Sequence, residues 1–261
     1  MGKSTRKTAV DSERDGSIFF VTLKQAERRN PLSLQNLMDL SNEIDKFAKD
    51  NRLRILVLKS EGPVFSSGHD LHEINFGTTE DHARLFDQCA KTMGQIRNTP
   101  KPVMASVQGL ATAAGCQLVA TCDLAIASSE AQFATPGVNI GLFCTMPGVA
   151  LSRAVPPKKA FDMMLTGEPM SADEAKSFGL ITRVVANNEL DVETIDLARQ
   201  IAEKSPAVLS MGKKAFYKQI ELDIKTAYDF AKGEMVKHLE HPDAREGISA
   251  FIDKREPNWT D

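Results

Sequence analysis

The chain has 261 residues, of which 42% are hydrophobic and 26% are charged, and its formal net charge at pH 7 is −3. This composition excludes an intrinsically disordered or collagen-like chain, and the small negative charge gives no basic field that would attract nucleic acid or an acidic membrane surface. A chain of this length buries enough apolar surface to fold without a disulfide or a structural metal.

Short apolar and β-branched runs alternate with stretches of helical spacing over the first half of the sequence. In chain order we predict a strand at Ile18–Leu23, a helix at 34–48, a strand at 55–58, a helix near 80–97, a strand at Val103–Val107, a short helix from about Ala113 and a strand at 124–127. This alternation predicts an α/β domain whose loops after the strands face one side, where ligands tend to bind.

From about residue 185 onwards the sequence predicts helices only, at roughly 189–204, 206–219, 223–238 and 242–254. We therefore divide the chain into an α/β core at 10–195 and a helical region at 196–261. The apolar stripe of these helices is partial, so we expect them to pack on the core or on a partner subunit rather than to form an independent domain.

Four cysteines, Cys89, Cys116, Cys122 and Cys144, are scattered through apolar segments without a C-x-x-C pair or a histidine cluster at ligand spacing. We interpret them as reduced thiols that pack as small hydrophobic side chains, and we expect no metal site. The basic start MGKSTRK continues into the acidic DSERD, and no apolar run reaches the length of a membrane span. We expect a cytoplasmic protein, or one of the mitochondrial matrix if the chain is eukaryotic.

Two segments rich in small residues each follow a predicted strand: GPVFSSGHDL at 62–71 and GLATAAGCQLVATCD at 109–123. Small residues at the start of a helix leave backbone N–H groups unpaired and accessible to an anionic group. Taken singly, the first segment is also compatible with a plain turn and the second with close helix packing. Together they indicate two backbone donors aimed at one carbonyl oxygen, which is an oxyanion hole.

With these two segments, the sequence resembles the enoyl-CoA hydratase/isomerase (crotonase) superfamily. The resemblance covers nearly the whole chain and is carried, in order, by FSSGHDL, GLATAAGCQLVATCDLAIAS, QFATPGVNIGL and MPGVALSR. GHDL together with AAGCQ and GLFC is most similar to the branch of enoyl-CoA hydratase domain-containing protein 3. The family implies an α/β crotonase-like ββα spiral with a C-terminal helical trimerisation region, and a homotrimer or hexamer.

The resemblance also implies an acyl-CoA thioester as substrate, with no permanently bound cofactor. Its carbonyl would be polarised by the backbone N–H groups of His69 and Ala114. The imidazole of His69 stands where the family usually has a small residue, so it is either a solvated neighbour of the ligand or a proton-transfer group. The residues that match coenzyme A contacts are Arg29 and Asn30 for the nucleotide, Ser67 and Leu71 for the adenine, and Phe251 and Lys254 reaching in from a neighbouring subunit.

The carboxylates that hydratases of this family use are missing. Gln117 occupies the position of the first glutamate, Gly137 that of the second, and Gly148 a third acidic position. Hydration needs coordinated proton transfers, and an amide cannot take a proton from water. We therefore expect no efficient hydration of crotonyl-CoA, and decarboxylation, isomerisation and thioester hydrolysis stay open.

The expected lining of the site also includes Asn139, Cys144 and Thr145. We interpret Cys144 as a buried thiol rather than a nucleophile, because no paired base is visible in the sequence. Gln117 is either a water-ordering group or simply a helix residue.

Three functions remain as alternatives: an acyl-CoA enzyme of lyase or isomerase type in fatty-acid metabolism, a non-catalytic acyl-CoA-binding protein, and an RNA-binding relative. The last depends on a small cluster of Lys213, Lys214 and Lys218 with Phe216 and Tyr217 between them. At a net charge of −3 we interpret this cluster as a solvated helix face. We expect a small-molecule substrate, and neither nucleic acid nor a membrane as partner.

Overall fold

The computed structural model describes residues 9–260, so the segment MGKSTRK lies outside the described residues. Within that range the strands are β1 (Val10–Asp15), β2 (Ile18–Leu23), β3 (Ile55–Ser60), β4 (Val64–Ser66), β5 (Val103–Val107), β6 (Leu110–Thr112), β7 (Leu124–Ser128), β8 (Gln132–Ala134), β9 (Met170–Ser171) and β10 (Arg183–Val185). They form a six-stranded sheet in the order β1-β2-β3-β5-β7-β10 and a four-stranded sheet in the order β4-β6-β8-β9.

The helices of the described residues alternate with the strands as far as β10, and only helices follow after it. They are α1 (Leu34–Lys49), α2 (Leu71–Phe76), α3 (Thr79–Asn98), α4 (Ala114–Thr121), α5 (Thr145–Ala154), α6 (Pro157–Thr166), α7 (Ala172–Phe178), α8 (Leu190–Ala202), α9 (Pro206–Gln219), α10 (Ile224–Glu240) and α11 (Pro242–Asp253). Short 3₁₀ turns occur at Ala26–Arg28, Pro136–Ile140 and Asn187–Glu189. No helix within residues 9–260 is long and apolar enough to cross a membrane.

The two sheets are built by a repeated unit of two strands and a helix. One strand of each unit enters the large sheet and the next enters the small sheet, as in β3-β4-α3, β5-β6-α4 and β7-β8-α5. Except for the hairpin β1-β2, the pairs in the large sheet are parallel, and so are β4-β6 and β6-β8. This is the predicted ββα spiral, and it aligns the ends of β4 and β6 on one side.

Both faces of the central strands β2, β3, β5 and β7 of the large sheet are buried, which explains why these strands are continuous apolar runs in the sequence. In β2, Phe19 and Val21 face the main core that includes α1 and α3, whereas Ile18 and Phe20 face a second cluster. The second cluster is completed by Leu190, Leu197 and Ala198 of α8. The predicted boundary between residues 195 and 196 therefore falls inside a helix that covers the sheet.

All four strands predicted from the sequence are present, and the predicted helices are present with ends shifted by a few residues. The short strands of the second sheet and helices α2, α5, α6 and α7 were not predicted. Strands β4, β6 and β8 have three residues each, which is too short for a periodic pattern to show.

Candidate active site

The loop that follows β4 is fixed by the segment before α1. The Ser66 hydroxyl donates to the carbonyl oxygen of Asn30 at 2.8 Å and accepts from the N–H of Gly68 at 3.2 Å. Leu32 N–H donates to the Gly68 carbonyl at 2.7 Å. Gly68 has φ +83°, a conformation that favours glycine, so the chain turns sharply just before His69.

The turn from β6 into α4 is strained at Ala113, which has φ 51° and ψ −119°. For any residue other than glycine, this backbone conformation is unfavourable by on the order of 1–3 kcal/mol. It persists only where the surrounding structure stabilises it. Here the Ala113 N–H donates to Ala134 of β8 at 2.9 Å. A Cβ atom on Gly115 would lie 2.5 Å from the Ser66 carbonyl oxygen, so only glycine lets α4 approach the β4 loop this closely.

These two turns place the backbone of Gly68 against the N–H group of Ala114. The amide nitrogen of Ala114 lies 3.0 Å from the point where a Cβ atom on Gly68 would stand. Neither the His69 N–H nor the Ala114 N–H donates a hydrogen bond to another of the residues the structure describes. Ala114 is fully buried, and buried backbone donors without a partner are rare. The arrangement can accept an oxyanion.

The imidazole of His69 is half-buried and its Nε2 atom is inaccessible to solvent, so the ring is less solvated than one interpretation of the sequence pictured. Its ring packs edge-on against Phe86 of α3, with ring centroids 5.4 Å apart. Burial lowers the pKa of His69 to about 4. The buried Nε2 atom has no hydrogen-bond partner among the described residues. The side chain is therefore neutral at pH 7 and a weak base.

Gln117 lies on α4 one turn after Ala114 and is 4% exposed. Its Oε1 atom accepts a weak hydrogen bond from the Cys89 thiol at 3.8 Å. Burial raises the pKa of Cys89 to about 12, so this thiol stays protonated. The amide thus packs against α3, and it forms part of the wall of a cavity of about 920 Å³ between α3, α4, α5 and α9.

Gly137 lies where the structure leaves no room for a side chain. A Cβ atom there would be 2.5 Å from the Leu142 carbonyl oxygen and 2.8 Å from the sulfur of Cys144. Leu142 N–H donates to the Gly137 carbonyl at 2.9 Å, which closes the 137–142 loop. Burial raises the pKa of Cys144, while a hydrogen bond from the Gly137 N–H opposes this rise. The sulfur therefore occupies the space where the second family glutamate would begin.

The other residues predicted to line the site are more peripheral. A Cβ atom on Gly148 would be 2.8 Å from Met164 Sδ, which is the flexible end of a side chain. Asn139 is exposed, and its Nδ2 atom lies next to Gly167 after α6. Thr145 is exposed at the start of α5.

Four of the six predicted coenzyme A contacts flank the loop before His69. The buried side chain of Asn30 donates to the carbonyls of Glu61 at 2.9 Å and Val64 at 2.8 Å, so it positions this loop rather than facing outward. The other three of these four residues are Arg29, which lies in a left-handed turn, Ser67, which precedes Gly68, and Leu71, which is 56% exposed at the start of α2. Phe251 and Lys254 lie apart from these, at the end of α11, which packs on α9 and α10.

The interpretation of the lysine cluster as a solvated helix face is wrong for Lys213. Its side chain is 8% exposed and its Nζ pairs with Asp123 Oδ2 at 2.7 Å. The same ammonium donates to the carbonyls of Ile96 at 2.9 Å and Lys101 at 3.0 Å. Tyr217 donates its hydroxyl to Asp123 at 2.7 Å. Buried charge pairing of this kind joins α9 to the core, and a sequence does not show which lysine it involves.

Phe86 and Cys89 were also missed as neighbours of the site. They are three residues apart on α3, a spacing that puts both on one side of the helix, where Phe86 packs against His69 and Cys89 contacts Gln117 of α4. This helical spacing is the signal by which they could have been found.

Comparison with known proteins agrees with this fold. A family model described as enoyl-CoA hydratase/isomerase matches residues 13–261. Human enoyl-CoA hydratase domain-containing protein 3, mitochondrial, is 52% identical over 241 residues, which cover 92% of this chain and 80% of that protein. The mouse protein of the same name is 47% identical over 260 residues, covering 99% and 87%.

Solved structures extend this similarity to three dimensions. The crystal structure of the human protein matches with a TM-score of 0.94 at 50% identity, covering 96% of this chain and 100% of that chain. That of an enoyl-CoA hydratase from Mycobacterium smegmatis also matches with a TM-score of 0.94, at 45% identity and with 97% and 99% covered. The predicted fold and the predicted similarity to the domain-containing protein 3 branch are confirmed.

Proposed function

Because this chain belongs to the enoyl-CoA hydratase/isomerase family, we propose that it binds acyl-CoA thioesters and stabilises an enolate between the N–H groups of His69 and Ala114. The observation that supports the proposal is that both N–H groups, which follow β4 and β6, have no hydrogen-bond partner among the described residues. A thioester enolate concentrates negative charge on one oxygen, and one donor of this kind contributes about 2.7–4 kcal/mol to its stabilisation. The enzyme would act on thioesters of fatty-acid metabolism, with coenzyme A as part of the substrate and no permanently bound cofactor.

Coenzyme A would lie along the segment that leads into His69. Arg29, Ser67 and Leu71 flank this segment, and Leu71 is more than half exposed. Phe251 and Lys254 would contribute from a neighbouring subunit.

A homotrimer, or a hexamer built from two trimers, is the proposed assembly. Apolar side chains of α10 and α11 are widely exposed on the single chain: Ile224 at 74%, Tyr228 at 73%, Phe251 at 86% and Ile252 at 70%. Exposed apolar patches of this kind mark interaction surfaces. The similar human and mouse proteins are named as mitochondrial, which supports a mitochondrial location for a eukaryotic chain; within the mitochondrion we propose the matrix.

Binding of butyryl-CoA and of free coenzyme A, measured by calorimetry, tests this function. Ala114→Pro removes one donor at the first position of a helix, where proline is tolerated. We expect the extra affinity of the thioester over free coenzyme A to disappear in this variant, with an unchanged circular dichroism spectrum. Equal affinity of the wild-type protein for both ligands would contradict the proposal.

The second candidate is a non-catalytic acyl-CoA-binding protein. The crowding of Gly137 by Leu142 favours it, because the position of one family carboxylate cannot carry any side chain. Binding without turnover across saturated, unsaturated and malonyl-type thioesters would identify this function.

A further inference from the structure

Helices α9, α10 and α11 lie outside the apolar core of the described chain. No residue after Ala202, where α8 ends, belongs to either of its two apolar core clusters. Helix α9 has no buried residue of its own. The cavity of about 920 Å³ separates α9 from the core, and it is lined by Phe216 and Ile220 on the α9 side and by Met93 and Val149 on the core side. Apolar burial therefore contributes little to holding α9 on the core.

Polar contacts attach the C-terminal half of α9 to the core. Asp123, which follows α4, accepts from Lys213 Nζ at 2.7 Å and from the Tyr217 hydroxyl at 2.7 Å, and we call these three residues the latch. Next to it, Arg97 of α3 pairs with Glu221 at 2.5 Å, and its guanidinium lies 4.7 Å from the centroid of the Tyr217 ring. Water can replace each of these contacts when α9 moves away, so they oppose this movement much less than a packed apolar interface would.

The last six described residues, 255–260, form a segment that we call the strap. The strap lies along α11, where the Glu246 carboxylate accepts from both terminal nitrogens of Arg255, at 2.6 and 2.9 Å. The same carboxylate accepts from the Asn258 N–H at 2.8 Å. These contacts hold the strap in one position on the C-terminal helices.

From this position the strap reaches the connection between α8 and α9. Trp259 Nε1–H donates to the carbonyl of Glu203, just after α8, at 2.8 Å. Thr260 donates its N–H at 2.8 Å and its hydroxyl at 2.6 Å to Oδ1 of the buried Asp243. The other oxygen of Asp243 accepts from the hydroxyl of Ser205, the residue that caps α9. Both ends of the connection are thus fixed by groups of the strap or of α11.

We propose that α9 is a hinged cover of the cavity, that the connection between α8 and α9 is its hinge, and that the strap keeps this hinge closed. Helices α10 and α11 pack on α9 and move with it. When the strap leaves Glu203 and Asp243, α9 swings outward, the latch opens to water and the cavity becomes accessible. Gln117 lines the cavity one turn after Ala114, so the cover controls solvent access to the helix that carries one of the candidate donors. The inference concerns only the attachment of α9 and does not depend on the proposed function.

The thiol of Cys122 reports opening, because it lines the cavity and burial raises its pKa, so it reacts slowly while the cover is closed. We would measure its labelling by N-ethylmaleimide with mass spectrometry, which also gives the rate for Cys116, a fully buried thiol of α4. A chain that ends at Pro257 lacks Trp259 and Thr260. We expect it to label Cys122 at least about 10-fold faster than the full chain, the factor that corresponds to one or two lost hydrogen bonds, with Cys116 unchanged. Equal Cys122 rates in the two chains overturn the proposal.

Two point variants keep the test valid if the shortened chain does not fold. Tyr217→Phe removes one hydrogen bond of the latch and keeps the ring, so we expect several-fold faster labelling of Cys122. Lys218→Met, on the exposed side of α9, is the matched control and should label at the wild-type rate. Labelling of Tyr217→Phe at the wild-type rate overturns the hinged cover. An equal acceleration at Cys116 also overturns it, because the whole core would then be opening.

Discussion

The amide nitrogen of Ala114 lies 3.0 Å from the place where a Cβ atom on Gly68 would stand. The absence of a side chain at Gly68 thus leaves open space next to the Ala114 nitrogen. A substrate oxygen placed between the His69 and Ala114 N–H groups needs this space to be open.

Gly68→Ala should therefore block the site. The new methyl would lie 2.9 Å from the Ala113 Cβ atom and 3.0 Å from the Ala114 nitrogen, and φ would stay near +83°. We expect loss of acyl-CoA turnover or of thioester-specific binding by about 100-fold or more. Gly16→Ala is the matched control, because Gly16 also has positive φ but has nothing within 4 Å of its Cβ position. Equal losses in both variants would mean that backbone strain, not occlusion, is responsible.

At His69, the backbone matters more than the imidazole. His69→Ala keeps the N–H and should retain activity within a few-fold, whereas His69→Pro removes the N–H and should lose about 100- to 1,000-fold. Because burial places the pKa of His69 at about 4, the wild-type pH profile should show no His69 titration between pH 6 and 8. An inflection in that range that vanishes in His69→Ala would reveal a catalytic imidazole.

Gly137→Ala should destabilise the protein by about 1–3 kcal/mol, because its methyl meets the backbone oxygen of Leu142 at 2.5 Å. Gly148→Ala meets only the movable Met164 sulfur at 2.8 Å and should cost much less. Urea unfolding of the two variants checks this order. A reversed order would show that the 137–142 loop opens easily.

Lys213→Met should destabilise by about 3–5 kcal/mol, because it leaves the carboxylate of Asp123 partly buried without its cation. Lys214→Met, on the exposed side of α9, is the control and should lie within about 0.5 kcal/mol of the wild type. The measurement is the free energy of unfolding in urea. Similar values for the two variants would restore the solvated-face interpretation of the cluster.

The ion pair that helps to hold the C-terminal segment should weaken as the pH falls. Arg255, together with the Asn258 N–H, lowers the pKa of Glu246 from 4.5 to about 2 in the folded chain. Because the pKa of Glu246 is lower in the folded chain than in the unfolded chain, its ionised carboxylate stabilises the folded state above pH 4.5. This contribution is lost as the pH falls from 4.5 toward 2.

Trp259 reports this change because it is the single tryptophan, and its Nε1–H donates to the Glu203 carbonyl at 2.8 Å. We expect its fluorescence to change across that window in the wild type, and at neutral pH already to be altered in Glu246→Gln. Identical fluorescence titrations of the wild type and Glu246→Gln would show that this ion pair does not hold the segment in place.

Local pattern was sufficient to predict the C-terminal helices and the four central strands of the large sheet, because β2, β3 and β5 are continuous apolar runs buried on both faces. The edge strands β1 and β10 were not predicted. The meeting of the Gly68 and Ala113 turns was predicted as an oxyanion hole only through two small-residue segments and the family resemblance. The strain at Ala113 and the crowding of Gly137 depend on neighbours far along the chain, so no sequence period marks them. The burial of Lys213 could not be predicted from the sequence for the same reason, because its partner Asp123 lies 90 positions away.

Infrared difference spectroscopy of bound butyryl-CoA, labelled with carbon-13 at the thioester carbonyl, measures whether backbone donors contact the substrate oxygen. Two backbone donors would lower the carbonyl stretching frequency relative to the free thioester, and Gly68→Ala or Ala114→Pro would abolish the shift. An unshifted carbonyl in a complex with the wild-type protein would contradict the assignment of His69 and Ala114 as an oxyanion hole.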